Sequence, residues 1–308
     1  MKPSSVVLLP LALLCILSGA CSQSEPDTST PRFVILISID TLRPDHLGLY
    51  GYERPTSPRL DELGKTGVVF EDVTSPSPWT LPAHGSLLTG LYPSRHGLKS
   101  HERYLPSRIP TLASRLSNEG WVTAAAVNSH NLSSNFGLDR GFQFYLYVEE
   151  TADQIEPTVG VTDQAMSWLR QQRNQPFFLF MHYYDVHTDY RSLPDYEQDF
   201  VTPYDGEADG STSQLMAFRE GRVALDEKDV PHLVNLYDAG IRQMDDELER
   251  FFSFLKDHGI WDQCLLIVTS DHGEEFFERG DFLHGRTQFQ EVIRVPLIMG
   301  VMMRRQAR

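Results

Sequence analysis

Short, uninterrupted apolar runs alternate with segments of helical period along most of this chain, and no other feature narrows its fold as much. Phe33 to Ile39, Val68 to Phe70, Trp121 to Val127, Phe177 to His182 and Cys264 to Thr269 read as strands. Between them, Ser57 to Lys65, Thr111 to Glu119, Val161 to Arg173 and Val230 to His258 read as helices. Strands without a wet face need helices on both sides. The pattern therefore predicts an α/β fold: a three-layer sandwich whose central sheet is mostly parallel. In the longest helical segment, Leu233, Leu236, Ile241, Met244, Leu248, Phe251, Phe252 and Leu255 keep near three-to-four spacing, and Gly259 supplies a stop. Its acidic cluster, Asp245, Asp246, Glu247 and Glu249, reads as a solvated face. Thr188 to Lys228 is polar and weakly periodic, which predicts a long surface excursion of the kind that shapes substrate entry. Val295 to Val301 reads as a last strand, and the chain stops soon after it.

A chain of 308 residues with 41% hydrophobic content can bury a substantial core, which excludes disorder as its ground state. Its net charge of -15 argues against a nucleic-acid partner, because phosphate backbones are bound through Lys and Arg. An anionic ester can still bind if a cation inverts the charge locally. The N-terminus has the pattern of an export signal: Lys2, an apolar run from Val6 to Leu17, then small residues. Leu17-Ser18-Gly19-Ala20-Cys21 resembles a bacterial lipoprotein cleavage box, with Cys21 as the lipidated residue; a plain signal peptide is the alternative. Residues 1–21 are then leader and 22–31, rich in Ser, Thr, Pro and Asp, a flexible tether to a catalytic domain at 32–308. That places the protein in the periplasm or cell envelope, touching a membrane only through the lipid. Cys264 is left without an internal disulfide partner and reads as core.

Three places combine sheet-end geometry with reactive side chains. Asp40 follows the apolar run at 33–39 and so emerges at the carboxyl end of a strand, where open α/β folds build their sites. Taken alone, it reads equally well as a turn carboxylate. Thr80 lies just before Pro82, which suits the first turn of a helix, so its hydroxyl falls at the positive end of a helix dipole. On local sequence it serves as a helix cap or as a nucleophile activated by a neighbouring divalent metal. Asp271-His272-Gly273-Glu274 ends another buried strand with a carboxylate and an imidazole side by side, neither expected for packing. Such donors suit a divalent cation, and Ca, Mn, Mg and Zn all remain open.

Together these segments resemble the sulfatase family of the alkaline phosphatase superfamily. The resemblance runs from about Phe33 to the chain end, through Asp40, Thr80-Leu81-Pro82-Ala83-His84, Ser86-Leu87-Leu88-Thr89-Gly90, Tyr92-Pro93, His96-Gly97, Asp271-His272-Gly273-Glu274, His284-Gly285 and Arg294-Val295-Pro296-Leu297-Ile298. It implies an alkaline-phosphatase-like fold, one divalent metal held by Asp40, Asp271, His272 and the hydroxyl of Thr80, and Thr80 as nucleophile. It also implies that His284 binds substrate or donates a proton, that His187 contacts ester oxygens, and that His84, which replaces the arginine of sulfatases proper, binds substrate. The substrate is then an anionic ester, small or linked to a glycan or lipid.

Two departures refine the expectation. Sulfatases proper carry Cys or Ser at the position of Thr80 and convert it to formylglycine, which threonine cannot form. Threonine there is similar to phosphodiesterase, nucleotide pyrophosphatase and phosphoglycerol transferase relatives, which favours a phosphoester. Thr41 stands where many sulfatases have a further acidic ligand, in keeping with a lighter ligand set. Two other readings stay open: a phospho-group transferase, and a non-catalytic lipoprotein whose domain ends short of the family's full length.

Overall fold

The computed structural model describes residues 31–149, 157–172 and 175–301; the leader, Cys21 and nearly all of the tether lie outside them. The strands are β1 (Phe33–Ile39), β2 (Val68–Phe70), β3 (Val122–Val127), β4 (Phe144–Tyr147), β5 (Phe177–Tyr183), β6 (Cys264–Ser270), β7 (Glu275–Phe276), β8 (Phe282–Leu283) and β9 (Leu297–Val301). The helices of four residues or more are α1 (Pro58–Thr66), α2 (Thr80–Thr89), α3 (Pro93–His96), α4 (Leu112–Asn118), α5 (Pro157–Gln171), α6 (Pro194–Phe200), α7 (Thr212–Arg219), α8 (Val230–Asp257) and α9 (Gln290–Ile293). One sheet has the order β2-β9-β6-β1-β5-β3-β4, and β7 with β8 forms a separate hairpin. β6, β1, β5, β3 and β4 run parallel, while β9 and β2 add antiparallel pairs at one edge.

Alternation along β1 divides the core between the two faces. Ile35, Ile37 and Ile39 pack with α8 residues Leu248, Phe251 and Leu255 and with Leu60 of α1, whereas Leu36 packs with Leu81 and Leu88 of α2 and Ala113 of α4. Helices thus cover both faces, as the apolar strands require. Each large side chain buried in this way contributes about 1.5–3 kcal/mol. Cys264 is among them, fully buried and free. Local signals set the helix ends: Thr111 accepts from the Ser114 N–H at 3.0 Å and Ser114 Oγ accepts from the Thr111 N–H at 2.9 Å, a reciprocal cap for α4. Among the described residues, no helix is long and apolar enough to cross a membrane.

Two expectations need correction. Asp245 is not on a solvated face: it is fully buried and accepts from the backbone N–H groups of Arg59 (2.8 Å) and Leu60 (3.0 Å). These belong to the first turn of α1, whose free N–H groups have no partner inside their own helix, so a carboxylate from α8 supplies it. Nor is 188–228 only a surface excursion. It forms α6 and α7 and buries Tyr190, Phe200, Leu215 and Ala217. β4 escaped the sequence reading because it is a short strand, half exposed at the sheet edge.

Candidate active site

Register brings distant parts of the chain together. Ser38 of β1 lies opposite His182 of β5 and Thr269 of β6, and Ile39 lies opposite Tyr183 and Ser270. The next residues on the two strands, Asp40 and Asp271, therefore leave the sheet side by side at its carboxyl end. The chain turns away at once: Thr41 takes the left-handed conformation (φ 53°), with its carbonyl accepting from the Tyr237 hydroxyl at 2.7 Å. Strain of this kind in a non-glycine residue is characteristic of functional turns. After β6, Gly273 is obligatory, because a Cβ there would come within 2.1 Å of the Glu291 carbonyl oxygen.

Thr80 opens α2, so its hydroxyl sits at the positive end of that helix's dipole. Its Oγ1 lies 3.4 Å from Asp40 Oδ2 and 3.3 Å from His272 Nε2. His272 Nε2 is 3.5 Å from Asp40 Oδ1 and 3.3 Å from Asp271 Oδ2. Asp40, Asp271 and His272 offer ligand atoms that all lie within 4.8 Å of one another, and all three side chains are buried. Among the described residues, Asp40 Oδ1 and Asp271 Oδ2 accept no hydrogen bond.

The electrostatics of the cluster follow from its burial. Burial works against charge on Asp40, yet the hydrogen bond from His182 and the imidazoles of His187 and His272 hold its carboxyl far below the usual range. Asp271 moves the other way, raised by burial and then by the charge of Asp40. Burial pushes His272 down to about 3, a neutral imidazole at physiological pH. Two buried carboxylates that cannot both ionise, orphaned oxygens turned into one space and a neutral imidazole form a donor set suited to a divalent cation.

The other expected residues fall into two groups. His284 and His187 are partly exposed and stand over the cluster, the His284 ring 4.3 Å from that of His272 and 4.9 Å from that of His187. His84 departs from the expected substrate-binding role: it is fully buried behind Thr80, and both ring nitrogens are engaged inside the protein, Nδ1 2.9 Å from the Thr80 carbonyl oxygen and Nε2 3.0 Å from Ser38 Oγ. His96 and Ser86 bond to each other at 3.0 Å away from this cluster, and the His96 ring occupies the space beside Gly85. Their part of the motif serves packing.

Sequence reasoning missed His182, whose Nε2 is 3.3 Å from Asp40 Oδ2 and whose Nδ1 is 3.3 Å from Asn128 Oδ1. The signal was present: an imidazole near the end of a fully apolar strand, the same anomaly that marked His272. Glu274, whose place in the Asp271-His272-Gly273-Glu274 motif suggests no role by itself, is fully buried, with Oε1 2.9 Å from His284 Nδ1.

Residues 32–301 match the Sulfatase family model. The chain belongs to the sulfatase family. It is 25% identical to the multifunctional alkaline phosphatase superfamily protein PehA of Trinickia caryophylli, over 88% of this chain and 68% of that one. With human iduronate 2-sulfatase it shares 24% identity over 95% of this chain and 64% of the relative. The match to PehA thus leaves about a third of that relative's length unmatched. Among solved structures, the phosphonate monoester hydrolase of Agrobacterium radiobacter superposes with a TM-score of 0.70 at 21% identity, covering 87% of this chain and 68% of that one. The C-terminal periplasmic domain of EcEptC from Escherichia coli, in complex with Zn, gives 0.64 at 19% identity over 89% and 74%. These superpositions bear out the alkaline-phosphatase-like fold that the family resemblance implied.

Proposed function

We propose that this sulfatase-family protein is a metal-dependent hydrolase of phosphate or sulfate esters, with Thr80 as nucleophile and a phosphoester as the favoured substrate. The observation that carries this reading is the position of the Thr80 hydroxyl, at a helix N-terminus and within 3.4 Å of both Asp40 and His272. Asp40, Asp271 and His272 are the residues that would hold a divalent ion. Such an ion neutralises charge on the ester oxygens and lowers the pKa of a hydroxyl beside it. The Thr80 oxygen attacks phosphorus or sulfur in line with the bond to the alcohol, giving a covalent threonyl ester that water then releases. His182 orients Asp40, and the N-terminus of α2 offers backbone N–H groups to the developing anion. His284 and His187 bind the ester oxygens and are the two candidates for protonating the departing alcohol. His84 backs Thr80 through its carbonyl.

Threonine at this position favours phosphate over sulfate, in keeping with the names of relatives and neighbours that include a phosphonate monoester hydrolase and a phosphoethanolamine transferase. If an alcohol replaces water in the second half, the same site is a transferase. Export and lipid anchoring rest on Lys2, the run from Val6 to Leu17, and Cys21.

The test is turnover of nitrophenyl phosphate, phosphodiester and sulfate esters with added Mn, Mg, Ca or Zn, with and without an alcohol acceptor. Thr80→Ala should lose at least about 10³-fold in kcat while still binding metal by calorimetry. Activity surviving in Thr80→Ala would end the nucleophile assignment, and a wild-type protein that binds no metal would end the reading as a whole.

A further inference from the structure

We infer that Glu274 is a positioning residue for departure of the alcohol: it holds Nδ1 of His284 so that Nε2 of the same ring meets the leaving oxygen, which suits the site to esters of aliphatic alcohols. The inference rests on the reading of Thr80 as nucleophile given above.

Glu274 is held from both sides. Its backbone N–H donates to the Glu291 carbonyl at 3.0 Å, and its own carbonyl accepts from Arg43 Nη1 at 2.8 Å. The backbone that carries the buried carboxylate is thereby fixed. On the other side, Leu283 adopts φ 67° at the end of β8, and the carbonyl of His284 accepts from Arg219 Nη1 at 2.9 Å. Arg219 also binds Asp281 Oδ1 at 3.0 Å, so α7 clamps the loop that carries the imidazole. Between these two fixed pieces, Glu274 Oε1 and His284 Nδ1 meet at 2.9 Å. With Nδ1 engaged, Nε2 is the nitrogen left for the ester, on a ring that packs against His272 and keeps 15% of its side chain open to solvent.

His187 has no such support. Its Nδ1 is 2.6 Å from the Thr188 carbonyl oxygen and its Nε2 is 3.4 Å from the Tyr184 hydroxyl, with no carboxylate hydrogen-bonded to either nitrogen among the described residues. Of the two candidates, His284 is therefore the one built as a proton donor. A carboxylate on Nδ1 fixes the ring's orientation and its tautomer, and supports the charge the ring carries once Nε2 has taken a proton from the solvent at its open edge. As the bond from phosphorus or sulfur to the alcohol oxygen breaks, the electron pair stays on that oxygen. The oxygen takes the Nε2 proton, leaving a neutral ring whose Nδ1–H stays on Glu274. Aryl oxides leave without this help, whereas aliphatic alkoxides do not.

The experiment compares two esters of the same acid on the metal-loaded full chain, one of nitrophenol and one of glycerol. Glu274→Gln and Glu274→Ala should lower kcat/KM for the glycerol ester by about 10²–10³-fold and for the nitrophenyl ester by at least about tenfold less. Glu274→Ala placed on His284→Ala should cost nothing further with the glycerol ester. Equal losses on both esters, or additive losses in the double variant, would reduce Glu274 to a structural role and overturn the inference. A second readout needs no turnover: by ¹⁵N histidine NMR at pH 8, His284 should carry its proton on Nδ1 in the wild type and on Nε2 in Glu274→Ala. A wild-type ring protonated on Nε2 alone would also overturn it. Turnover surviving in Thr80→Ala would instead remove the nucleophile reading and leave the tautomer result standing.

Discussion

Replacing Asp271 with Asn should stabilise the protein without metal and weaken it with metal. The ligand atoms of Asp40, Asp271 and His272 lie within 4.8 Å of one another. Were both carboxylates ionised at such a distance they would repel by about 3–4 kcal/mol at an effective dielectric of about 20, and without metal the folded protein escapes that repulsion only by keeping a proton on Asp271, at a cost that grows with pH. Asparagine keeps the acceptor that serves the N–H groups of Thr41 (3.4 Å) and His272 (2.9 Å). It also puts an amide donor where Oδ2 now lies 3.3 Å from His272 Nε2, an acceptor because Nδ1 of that ring donates to the Gly273 carbonyl at 3.0 Å. In EDTA at pH 8, urea denaturation should therefore show Asp271→Asn more stable than wild type by about 2–4 kcal/mol. The sign with pH follows from the raised pKa of Asp271, which comes from burial first and the charge of Asp40 second. Its protonated form is favoured in the folded state, so wild-type stability is highest below the ordinary carboxylate range and is lost as pH rises through the folded pKa. The advantage of the variant should accordingly shrink on acidification. With a divalent ion at a hundred times its dissociation constant, wild type should gain about 2.7 kcal/mol and the order of the two proteins should narrow or invert. A variant equally destabilised in EDTA and in metal would refute the reasoning, because the carboxylate would then be acting through ordinary hydrogen bonds.

Three further outcomes test the scaffold. Thr111→Ala removes the cap of α4 and should cost about 1 kcal/mol in urea denaturation, with activity unchanged because α4 lies outside the catalytic cluster. Arg219→Met keeps the bulk of a side chain that is 5% exposed but removes its hydrogen bonds to Asp281 and His284; it should cost about 1–3 kcal/mol and at least about tenfold in turnover, without rescue by Lys, which lacks the fork. Burial pushes Asp245 up to about 7 from 3.8, against the opposing hydrogen bonds from Arg59 and Leu60. Its contribution to stability is then present below about pH 4 and lost as pH rises toward 7, up to about 4 kcal/mol, so the difference between wild type and Asp245→Asn should move against wild type over that window and a flat difference would refute the assignment.

Much of this molecule was legible because its chemistry contradicts its surroundings. Asp40 and Asp271-His272 follow strands made mostly of Ile, Leu, Val and Phe, and side chains that are expensive to bury stand out against such runs. The same signal at His182 was weaker only because the reading looked past the end of its strand, whereas the imidazole is the next-to-last residue within it. Strand register then converts these three anomalies into one place, since β6, β1 and β5 are neighbours in the sheet. Thr80 was ambiguous for a different reason: the preferences that place a hydroxyl at a helix start are the same for a cap and for a nucleophile. In the structure, the Thr80 side chain caps no backbone N–H group of α2, and its partners lie on other elements.

The parts that stayed hidden act through the backbone or through burial and leave no motif. Arg219 is a lone arginine in a polar stretch with weak periodicity, and its role appears only when its guanidinium is seen to hold the carbonyl of His284. Asp245 is one acid among several on α8, set apart by facing the start of α1 while Glu249 stays 40% exposed. In both cases the partner is a main-chain group whose identity does not depend on residue type, so only topology could name it. The excursion from 188 to 228 is the clearest instance. Far from being a loop laid over a finished site, it supplies α7 and, through Arg219, fixes the loop on which His284 meets Glu274; the geometry of the proposed proton donor is thus set by a segment whose sequence carries no catalytic signature.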